Sequence, residues 1–162
     1  MEDHGSPALR RLIEALPDAI VSTHARLGDA TALVDPSRLV DVARLLRADP
    51  DLEFEMLTDV TCVDYLGEEP RFELVYHFYS VARNRRVRIK ARVAEDACRI
   101  DSLVPLYESA NWMEREVFDL YGVTFTGHPD PRRLLLYDEF EGHPLRKDYA
   151  KELRQPLVGP RN

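Results

Sequence analysis

Two segments in the middle of the chain alternate between apolar and polar residues, and this pattern constrains the fold more than any other feature. They are "RFELVYHF", residues 71–78, and "RVRIKARV", residues 86–93, with the turn sequence "SVARNR" between them. Successive side chains of a β-strand point to opposite faces of a sheet, so the alternation predicts two consecutive antiparallel strands with one buried face. The residues predicted to face inward are Phe72, Leu74, Tyr76, Phe78, Val87, Ile89, Ala91 and Val93.

Helices and further strands are predicted around these two strands. Apolar residues at helical spacing predict helices over residues 7–16 and, after the start signal Asp35-Pro36, over "SRLVDVARLLRAD". A first strand or hairpin is predicted up to Val34, and another strand in "EFEMLTDVTCVDYL". A helix is predicted over most of residues 101–121, with a candidate break near residues 109–111. This order predicts an α+β fold with a mixed or antiparallel sheet and helices packed on one of its faces.

The C-terminal tail, residues 127–162, has a different character. It is rich in proline, glycine and charge, and it has few periodic apolar residues. Such a segment buries too little apolar surface to hold one shape by itself. The sequence therefore predicts an α+β domain over residues 1–126, in which residues 1–34 are the least constrained part. An extended tail over 127–162 follows, which binds a partner and is mobile and protease-sensitive in the isolated chain.

Composition and charge exclude several classes of function. The chain is 44% hydrophobic and 31% charged with a net charge of -7, which argues against nucleic-acid binding and against an anionic membrane surface. No apolar run approaches the roughly 18 residues of a membrane span. The start "MEDHGSPALRR" lacks the pattern of a secretory signal. Cys62 and Cys98 lie far apart in sequence and are interpreted as reduced thiols of a cytosolic protein.

Charged residues cluster among aromatic ones in the segment "NWMEREVFDLYGV". Asn111 with Glu114 three residues later predicts a capping box at the start of a helix, and Gly122 is predicted to end that helix. Arg115 and Asp119 are four residues apart, the spacing of a surface ion pair on a helix.

Two interpretations of this segment stay open. Glu114 and Glu116 are two positions apart and point away from each other on a helix, which argues against a catalytic carboxylate pair. One interpretation is an ordinary capped, amphipathic helix with a solvated charged face. The other is a helix covered on both its apolar and its charged faces, which is favoured by Trp112, Phe118 and Tyr121 around the charges.

The remaining candidate motifs point to structure rather than to chemistry. His128 and His143 each stand between glycine and proline, which favours hydrogen-bonded turn histidines over a metal site needing further ligands. The basic segment "RNRRVRIKAR" has only Arg and Lys on its outward positions, without the aromatic residues of an RNA-binding sheet. We interpret it as a charged outer face or a protected edge strand, with docking to an acidic partner as the alternative. Signatures of phosphate-binding, dinucleotide, iron–sulfur or nucleophile sites are absent.

A long motif runs through the last third of the chain. It consists of Glu-Arg-Glu on the helix, an acidic and aromatic pair, Gly127-His128-Pro129, a basic step followed by leucines, and "GHPLRKDY". In this order the motif closely resembles the C subunit family of the proton-pumping NADH:quinone oxidoreductase, respiratory complex I. Upstream, "LTDVTCVDY" and the strands that follow it extend the resemblance to most of the chain from about Asp35.

The resemblance implies a non-catalytic structural subunit of the peripheral arm, which supports electron transfer from NADH to quinone coupled to proton translocation. It implies no cofactor in this chain, with flavin and iron–sulfur clusters in partner subunits. The implied partners are the large quinone-site subunit and the iron–sulfur subunits, with no nucleic acid and no direct membrane span. The implied location is peripheral, on the cytoplasmic side of the inner membrane.

The resemblance and the charge pattern together nominate twelve partner-binding residues and no catalytic, cofactor-binding or metal-binding ones. An equivalent subunit of a membrane-bound hydrogenase-like complex is one alternative, and a stand-alone enzyme using the two histidines and nearby carboxylates is another. The nominated residues are Glu114, Arg115, Glu116, Asp119, His128, Arg132, Arg133, His143, Arg146, Lys147, Asp148 and Tyr149.

Overall fold

The computed structural model describes residues 1–156, in which helices and strands follow one another along the chain. Among these residues, none of the helices combines the length and the apolarity needed to cross a membrane. The elements are α1 (Pro7–Ala15), β1 (Ile20–His24), β2 (Thr31–Val34), α2 (Leu39–Ala48), β3 (Met56–Asp64), β4 (Phe72–Ser80), β5 (Arg85–Val93), β6 (Arg99–Asp101), α3 (Ala110–Tyr121) and β7 (Thr124–Thr126).

The main sheet contains five strands in the order β1-β2-β5-β4-β3. The strands β3, β4 and β5 are antiparallel neighbours, and Tyr76 of β4 lies opposite both Val60 and Ile89. The strands β1 and β2 form an antiparallel hairpin, while β2 lies parallel to β5, so the sheet is mixed. The predicted hairpin up to Val34 is confirmed. The edge-strand interpretation of the basic segment is wrong, because β5 lies inside the sheet.

Helices cover one face of the main sheet, and the hydrophobic core lies between them. The residues predicted to face inward are all buried, with Tyr76 and Ile89 at 0% exposure. Leu12 of α1, Leu46 of α2 and Val117 of α3 belong to the same cluster. Each fully buried aliphatic or aromatic side chain stabilises the fold by roughly 1.5–3 kcal/mol. The predicted α+β fold with helices on one sheet face is confirmed.

The opposite face of the sheet carries basic residues of β5, and three of them lie beside an acidic residue. These pairs offset part of the charge of the strand within the chain, although ion pairs near the surface each contribute only about 0–1 kcal/mol. The pairs are Arg88 with Asp29 at 3.0 Å, Lys90 with Glu73 at 2.7 Å and Arg92 with Glu68 at 2.9 Å.

The helix predicted over residues 101–121 is wrong in its first half. The short strand β6 pairs in parallel with β7, and turns follow it up to α3. The apolar spacing in this stretch comes from turns that bury Leu103 and Tyr107, whose hydroxyl donates to the Phe54 carbonyl at 2.8 Å. Pro105 lies between them and has no backbone N–H for a helix.

The predicted capping box is also wrong. The residue before α3 is Ser109, whose side chain makes no capping bond and donates instead to the Leu57 carbonyl at 2.9 Å. Asn111 lies inside the helix, and Glu114 turns into the protein. The predicted end of the helix is confirmed, because Gly122 takes the left-handed conformation with a φ of 79°.

Candidate functional site

The candidate site is the junction between α3 and the first part of the tail. Residues 127–156 form no helix or strand, and loops and turns run along the domain instead. Contacts from α3, from the end of β3 and from the residue just before β4 hold this part of the tail. The prediction for residues 157–162 lies outside the described residues.

Asp119 holds the tail to α3. Its side chain is fully buried, and Oδ2 accepts three backbone N–H groups, from Leu134 at 3.0 Å, Leu135 at 2.8 Å and Leu136 at 2.9 Å. Its Oδ1 accepts the Arg133 guanidinium at 2.7 Å. Consecutive N–H groups that converge on one oxygen make a strong anion site. Asp119 therefore fixes the path of the chain over these leucines.

The pKa of the Asp119 carboxyl is shifted by opposing effects. Burial by itself would raise this pKa, but the hydrogen bonds from Leu136 N–H, the Arg133 guanidinium and the other two backbone N–H groups outweigh burial and lower it. The carboxylate is therefore charged at neutral pH, and it stabilises the fold above its unfolded pKa. That contribution is lost as the pH falls through the folded pKa.

Two arginines join Asp119 in holding the tail to α3, and these three side chains form the first clamp on the tail. Arg133 also donates to the Phe140 carbonyl at 3.0 Å and the Gly142 carbonyl at 3.1 Å, which closes the loop between them. Arg115 of α3 donates to the carbonyls of Arg132 and Arg133, at 3.0 and 2.9 Å. The predicted surface pair between Arg115 and Asp119 is therefore wrong, because each side chain binds the tail instead.

His143 closes onto the end of α3. Its Nδ1 lies 2.9 Å from the Asp119 carbonyl, and its ring lies edge-on to Phe118 with the ring centroids 6.0 Å apart. A Cβ at Gly122 would lie 2.6 Å from the His143 ring, so only glycine fits there. Glycine is thus required at this position for two reasons, its positive φ and the close approach of the His143 ring.

Glu114 is buried on the other side of α3. Its carboxylate accepts the Ser102 hydroxyl at 2.6 Å and the Leu103 N–H at 2.7 Å. Burial raises the pKa of Glu114 to about 7, against the two hydrogen bonds, which lower it. His128 lies 4.0 Å away, with its Nε2 at 3.0 Å from the Asn111 carbonyl and its Nδ1 accepting the Asp130 N–H.

We expect the chain to lose stability as Glu114 ionises. Its folded pKa lies above its unfolded value of 4.5, so its favourable contribution is complete below pH 4.5 and is lost as the pH rises towards about 7. This loss is about 3 kcal/mol. Glu114→Gln keeps an acceptor for Leu103 N–H and should remove this loss, so the variant should match the wild type near pH 5 and exceed it near pH 8. Chemical denaturation at both pH values measures the difference. Equal pH dependence in the two proteins would contradict the prediction.

A second clamp holds the tail to the main sheet, at the end of β3 and at the residue just before β4. Arg71 is 3% exposed and donates to both oxygens of Asp64, each at 2.8 Å. It also donates to Glu95 at 2.8 Å and to Asp148 of the tail at 3.0 Å. The Arg71 guanidinium lowers the pKa of Asp148 to about 2. The guanidinium thus joins the sheet, the loop after β5 and the tail.

Neighbouring tail residues complete this second clamp. The Lys147 N–H donates to Asp64 Oδ2 at 2.7 Å, and Arg146 pairs with Glu95 and Asp148. Arg146 also lies over the Phe72 ring, with 5.0 Å from its Cζ to the ring centroid. The Lys147 side chain is exposed and makes no ion pair within residues 1–156.

The structure thus divides the nominated residues into two groups. Glu114, Asp119, His128 and His143 are enclosed or bonded within the chain, as are Arg115, Arg133, Arg146 and Asp148. Tyr149 stacks on Phe140 with the ring centroids 6.1 Å apart, and Arg132 pairs with Asp130 at 2.6 Å. The side chains of Glu116 and Lys147 point to solvent without an ion pair inside the described part. Whether any of the twelve binds a partner stays a prediction.

The sequence interpretation missed Arg71, Asp64 and Ser102. Arg71 was assigned to the polar face of its strand, and its contact with Asp148 spans 77 positions. No local spacing signals such a contact. The two cysteines are free thiols, and burial raises the pKa of Cys62. Within residues 1–156, no group of three His, Cys, Asp or Glu side chains is placed to hold a metal ion.

Comparisons with known proteins agree with the resemblance seen in the sequence. Residues 32–155 match the family described as respiratory-chain NADH dehydrogenase, 30 kDa subunit. The NADH-quinone oxidoreductase C subunit of Roseiflexus sp. strain RS-1 is 50% identical over 140 residues, which are 86% of this chain and 80% of that protein. The subunit of the same name from Geobacter sulfurreducens is 45% identical over 154 residues, covering 94% of this chain and 90% of that protein.

Two solved structures share the fold. One is the trypsin-resistant fragment 1–134 of Nqo5, with a TM-score of 0.67 and 29% identity, covering 76% of this chain and 98% of that one. The other belongs to the membrane-bound sulfane sulfur reductase, an archaeal respiratory membrane complex. Its TM-score is 0.74 at 25% identity, and the match covers 89% of this chain and 84% of that chain.

Proposed function

We propose that this chain, which belongs to the family of the respiratory-chain NADH dehydrogenase 30 kDa subunit, acts as a non-catalytic structural subunit of an NADH-quinone oxidoreductase. The redox steps from NADH to quinone, and the proton translocation coupled to them, take place in other subunits. This chain supplies a folded scaffold that holds its neighbours in the peripheral arm.

One observation carries the non-catalytic assignment. The family motif, which would be the place to look for chemistry, is used for internal support: Asp119, Arg133 and His143 hold the tail, and Glu114 holds the turn before α3. A carboxylate saturated by three N–H groups and a guanidinium has no free acceptor for a substrate proton. This use of the motif supports a role in building a surface rather than an active site.

The surface of the tail supports the proposal that other subunits cover it. We place the large quinone-site subunit and the iron–sulfur subunits against this chain, on the cytoplasmic side of the inner membrane. Flavin and clusters reside in those partners. The tail presents the side chains of Leu135, Leu145 and Leu153, which are 61%, 50% and 53% exposed. Exposed leucines on one irregular segment are typical of a surface that becomes covered on assembly.

The proposed function is tested in cells that lack this chain. NADH-to-quinone activity of the membranes should be lost and should return with the wild-type gene, and a tagged chain should co-purify with the oxidoreductase. The isolated chain should show no visible absorption and no bound iron. Normal activity without the chain, or a stoichiometric cluster or flavin in it, would contradict the proposal.

Lys147→Glu tests whether Lys147 contributes to assembly of the complex without contributing to the stability of the chain. Its side chain is solvent-exposed while its N–H belongs to the second clamp, so the substitution changes the charge at the surface and leaves the Asp64 contact in place. We expect about a tenfold loss of incorporation into the complex, with the melting temperature of the isolated chain unchanged. Lys151→Glu is the matched control. Equal incorporation of both variants and the wild type would show that Lys147 does not face a partner.

The sulfane sulfur reductase structure favours one second candidate, an equivalent subunit of a related membrane-bound respiratory complex. Its TM-score is the higher of the two structures, but its identity is 25%, against 50% and 45% for the C subunits of two NADH-quinone oxidoreductases. The subunits that co-purify with this chain distinguish the two candidates. We retain the NADH-quinone oxidoreductase.

A further inference from the structure

Two arginines at the start of β5 keep no acidic partner inside the chain. The other basic residues of residues 83–92 are paired, Arg83 with Glu53, Arg88 with Asp29, Lys90 with Glu73 and Arg92 with Glu68. Arg85 and Arg86 are exposed, and neither makes an ion pair within residues 1–156. The chain has 29 acidic and 22 basic residues, so this is not for want of carboxylates. Of the basic segment, these two arginines are the part left available to a group from outside.

Both arginines line one open pocket of about 370 Å³, here called the basic pocket. Its other walls come from residues 4–8, from Phe54 and from the turn between β1 and β2. The ionisable residues of this lining are His4, Arg85 and Arg86, and no Asp or Glu of residues 1–156 is among them. A concave surface whose ionisable groups share one sign attracts a group of the opposite sign. The basic pocket therefore fits an anionic occupant.

Arg86 is held in position before anything binds. Its guanidinium lies over the Tyr79 ring, with 5.5 Å from Cζ to the ring centroid. The Tyr79 hydroxyl donates to Asn84 Oδ1 at 3.0 Å, so the ring is itself fixed. An arginine oriented in this way loses less conformational freedom on binding, and its planar fork of donors matches the two oxygens of a carboxylate.

A fully exposed leucine lies beside the basic pocket. Leu27 is 103% exposed and stands between Ala25 and Gly28, which both line the pocket. Its φ is 57°, a left-handed conformation that leucine rarely adopts. Hydrogen bonds from the Gly28 N–H to the Ala25 carbonyl and from the Asp29 N–H to the Arg26 carbonyl close the turn around it. A small anion in the pocket would leave this side chain in water, whereas a protein segment covers it.

We propose that the basic pocket and Leu27 form a docking site for an acidic segment of another subunit of the same complex. An Asp or Glu of that segment pairs with Arg85 and Arg86, and an apolar residue next to it packs on Leu27. Charge complementarity selects this occupant: the chain carries a net charge of -7, so an acidic segment is repelled by the molecule as a whole and attracted at this pocket. The inference rests on the proposed function, because that function supplies the partner.

Competition for the complex tests the two arginines. A variant carrying both Arg85→Glu and Arg86→Glu is co-expressed with a differently tagged wild-type chain, and the ratio of the two in the purified oxidoreductase is determined. We expect this ratio to fall roughly tenfold or more. The melting temperature of the isolated chain should stay within 2 °C or so of the wild type, because neither arginine has an internal ion pair to lose.

A matched control carries Arg47→Glu and Arg99→Glu. Both residues are exposed and make no ion pair within the described part of the chain, and Arg47 lies over the Tyr107 ring much as Arg86 lies over Tyr79. The control thus makes the same change in net charge and loses the same kind of ring contact. It should enter the complex as well as the wild type. An equal loss in the control would overturn the inference, since the effect would then follow from net charge.

Leu27→Asn tests the apolar contact with a result that a loss of stability does not give. Asparagine takes the left-handed conformation more readily than leucine, so the isolated chain should melt no lower than the wild type. Its ratio in the complex should nevertheless fall roughly threefold or more. A ratio near one for this variant or for the double glutamate variant would overturn the inference and leave the proposed function intact. Absence of the wild-type chain from the complex would overturn the proposed function instead.

Crosslinking in the assembled complex identifies the partner. A photoreactive phenylalanine derivative in place of Leu27 should crosslink to a peptide of another subunit that carries Asp or Glu beside an apolar residue. The same derivative at Leu66, which is 50% exposed beyond the opposite edge strand β3, should give no crosslink to that peptide. Lysine in place of the acidic residues of the crosslinked peptide should raise the ratio of the double glutamate variant again. No such rescue, or a crosslink only to a second copy of this chain, would overturn the inference.

Discussion

Asp119→Ala is expected to lower the free energy of unfolding by about 3–5 kcal/mol. The substitution removes the acceptor of three backbone N–H groups and the partner of Arg133 at a position with 0% exposure. The loop from Arg133 to Gly142 then has no anchor on α3. Denaturant titration of the isolated chain measures the loss, and trypsin should cleave after Arg132 and Arg133 faster than in the wild type.

Asp119→Asn is the graded control. Its amide oxygen can still accept the three N–H groups, but its NH₂ group would face the Arg133 guanidinium, donor against donor. We expect a smaller loss, between the wild type and the alanine variant. The wild-type carboxylate should also contribute less below pH 4, since its lowered pKa makes its contribution disappear as the pH falls. Unchanged stability and proteolysis in Asp119→Ala would mean that the tail is held by other contacts.

Arg71→Met is expected to cost a similar 3–5 kcal/mol, because it leaves a charge buried without its partner. The Asp64 side chain is 1% exposed, and within residues 1–156 its one hydrogen-bond donor besides Arg71 is the Lys147 N–H. Glu95 and Asp148 are partly exposed and can be solvated when the guanidinium is gone. Thermal and chemical unfolding should both shift, and trypsin should cut sooner around Lys147.

A double-mutant cycle separates the interaction between Arg71 and Asp64 from the other effects of each substitution. Asp64→Asn in the Arg71→Met background removes the stranded charge while its amide oxygen still accepts the Lys147 N–H. The double variant should therefore be more stable than Arg71→Met alone. It should still be less stable than the wild type, because the smaller side chains do not fill the space of the buried pair. If the stability lost in the double variant equals the sum of the losses in Arg71→Met and Asp64→Asn, the Arg71–Asp64 bond contributes little.

Local pattern was sufficient for much of the fold. The alternation in β4 and β5 predicted which residues are buried, because a strand has a fixed period of two. Gly122 ended the predicted helix as expected, since few other residues take a positive φ easily. The prediction of a helix in the turn region before α3 was wrong because local spacing is ambiguous there. Leu103 and Tyr107 repeat at helical spacing, and a turn that buries both residues gives the same sequence signal.

The candidate site was predicted only as a set of separate residues. The sequence motif contained Asp119, Arg133, His143 and Asp148, but it did not reveal that they bind one another and the domain rather than solvent. Arg71 received no role, because its three carboxylate partners come from separate segments of the chain. Hydrogen-bond partners so far apart in sequence leave no periodicity.

The sequence alone determined the α+β class, the family and the position of the charged helix, since these follow from local periodicity and from a long contiguous motif. Only the tertiary structure decided which of the charges are available at the surface. Glu114 and Glu116 are two residues apart on one helix, yet one is fully buried and the other is exposed. The physical reason is that burial depends on which distant segments pack against each face of α3. The turn at Ser102 covers one carboxylate, and the described part of the chain leaves the other to solvent.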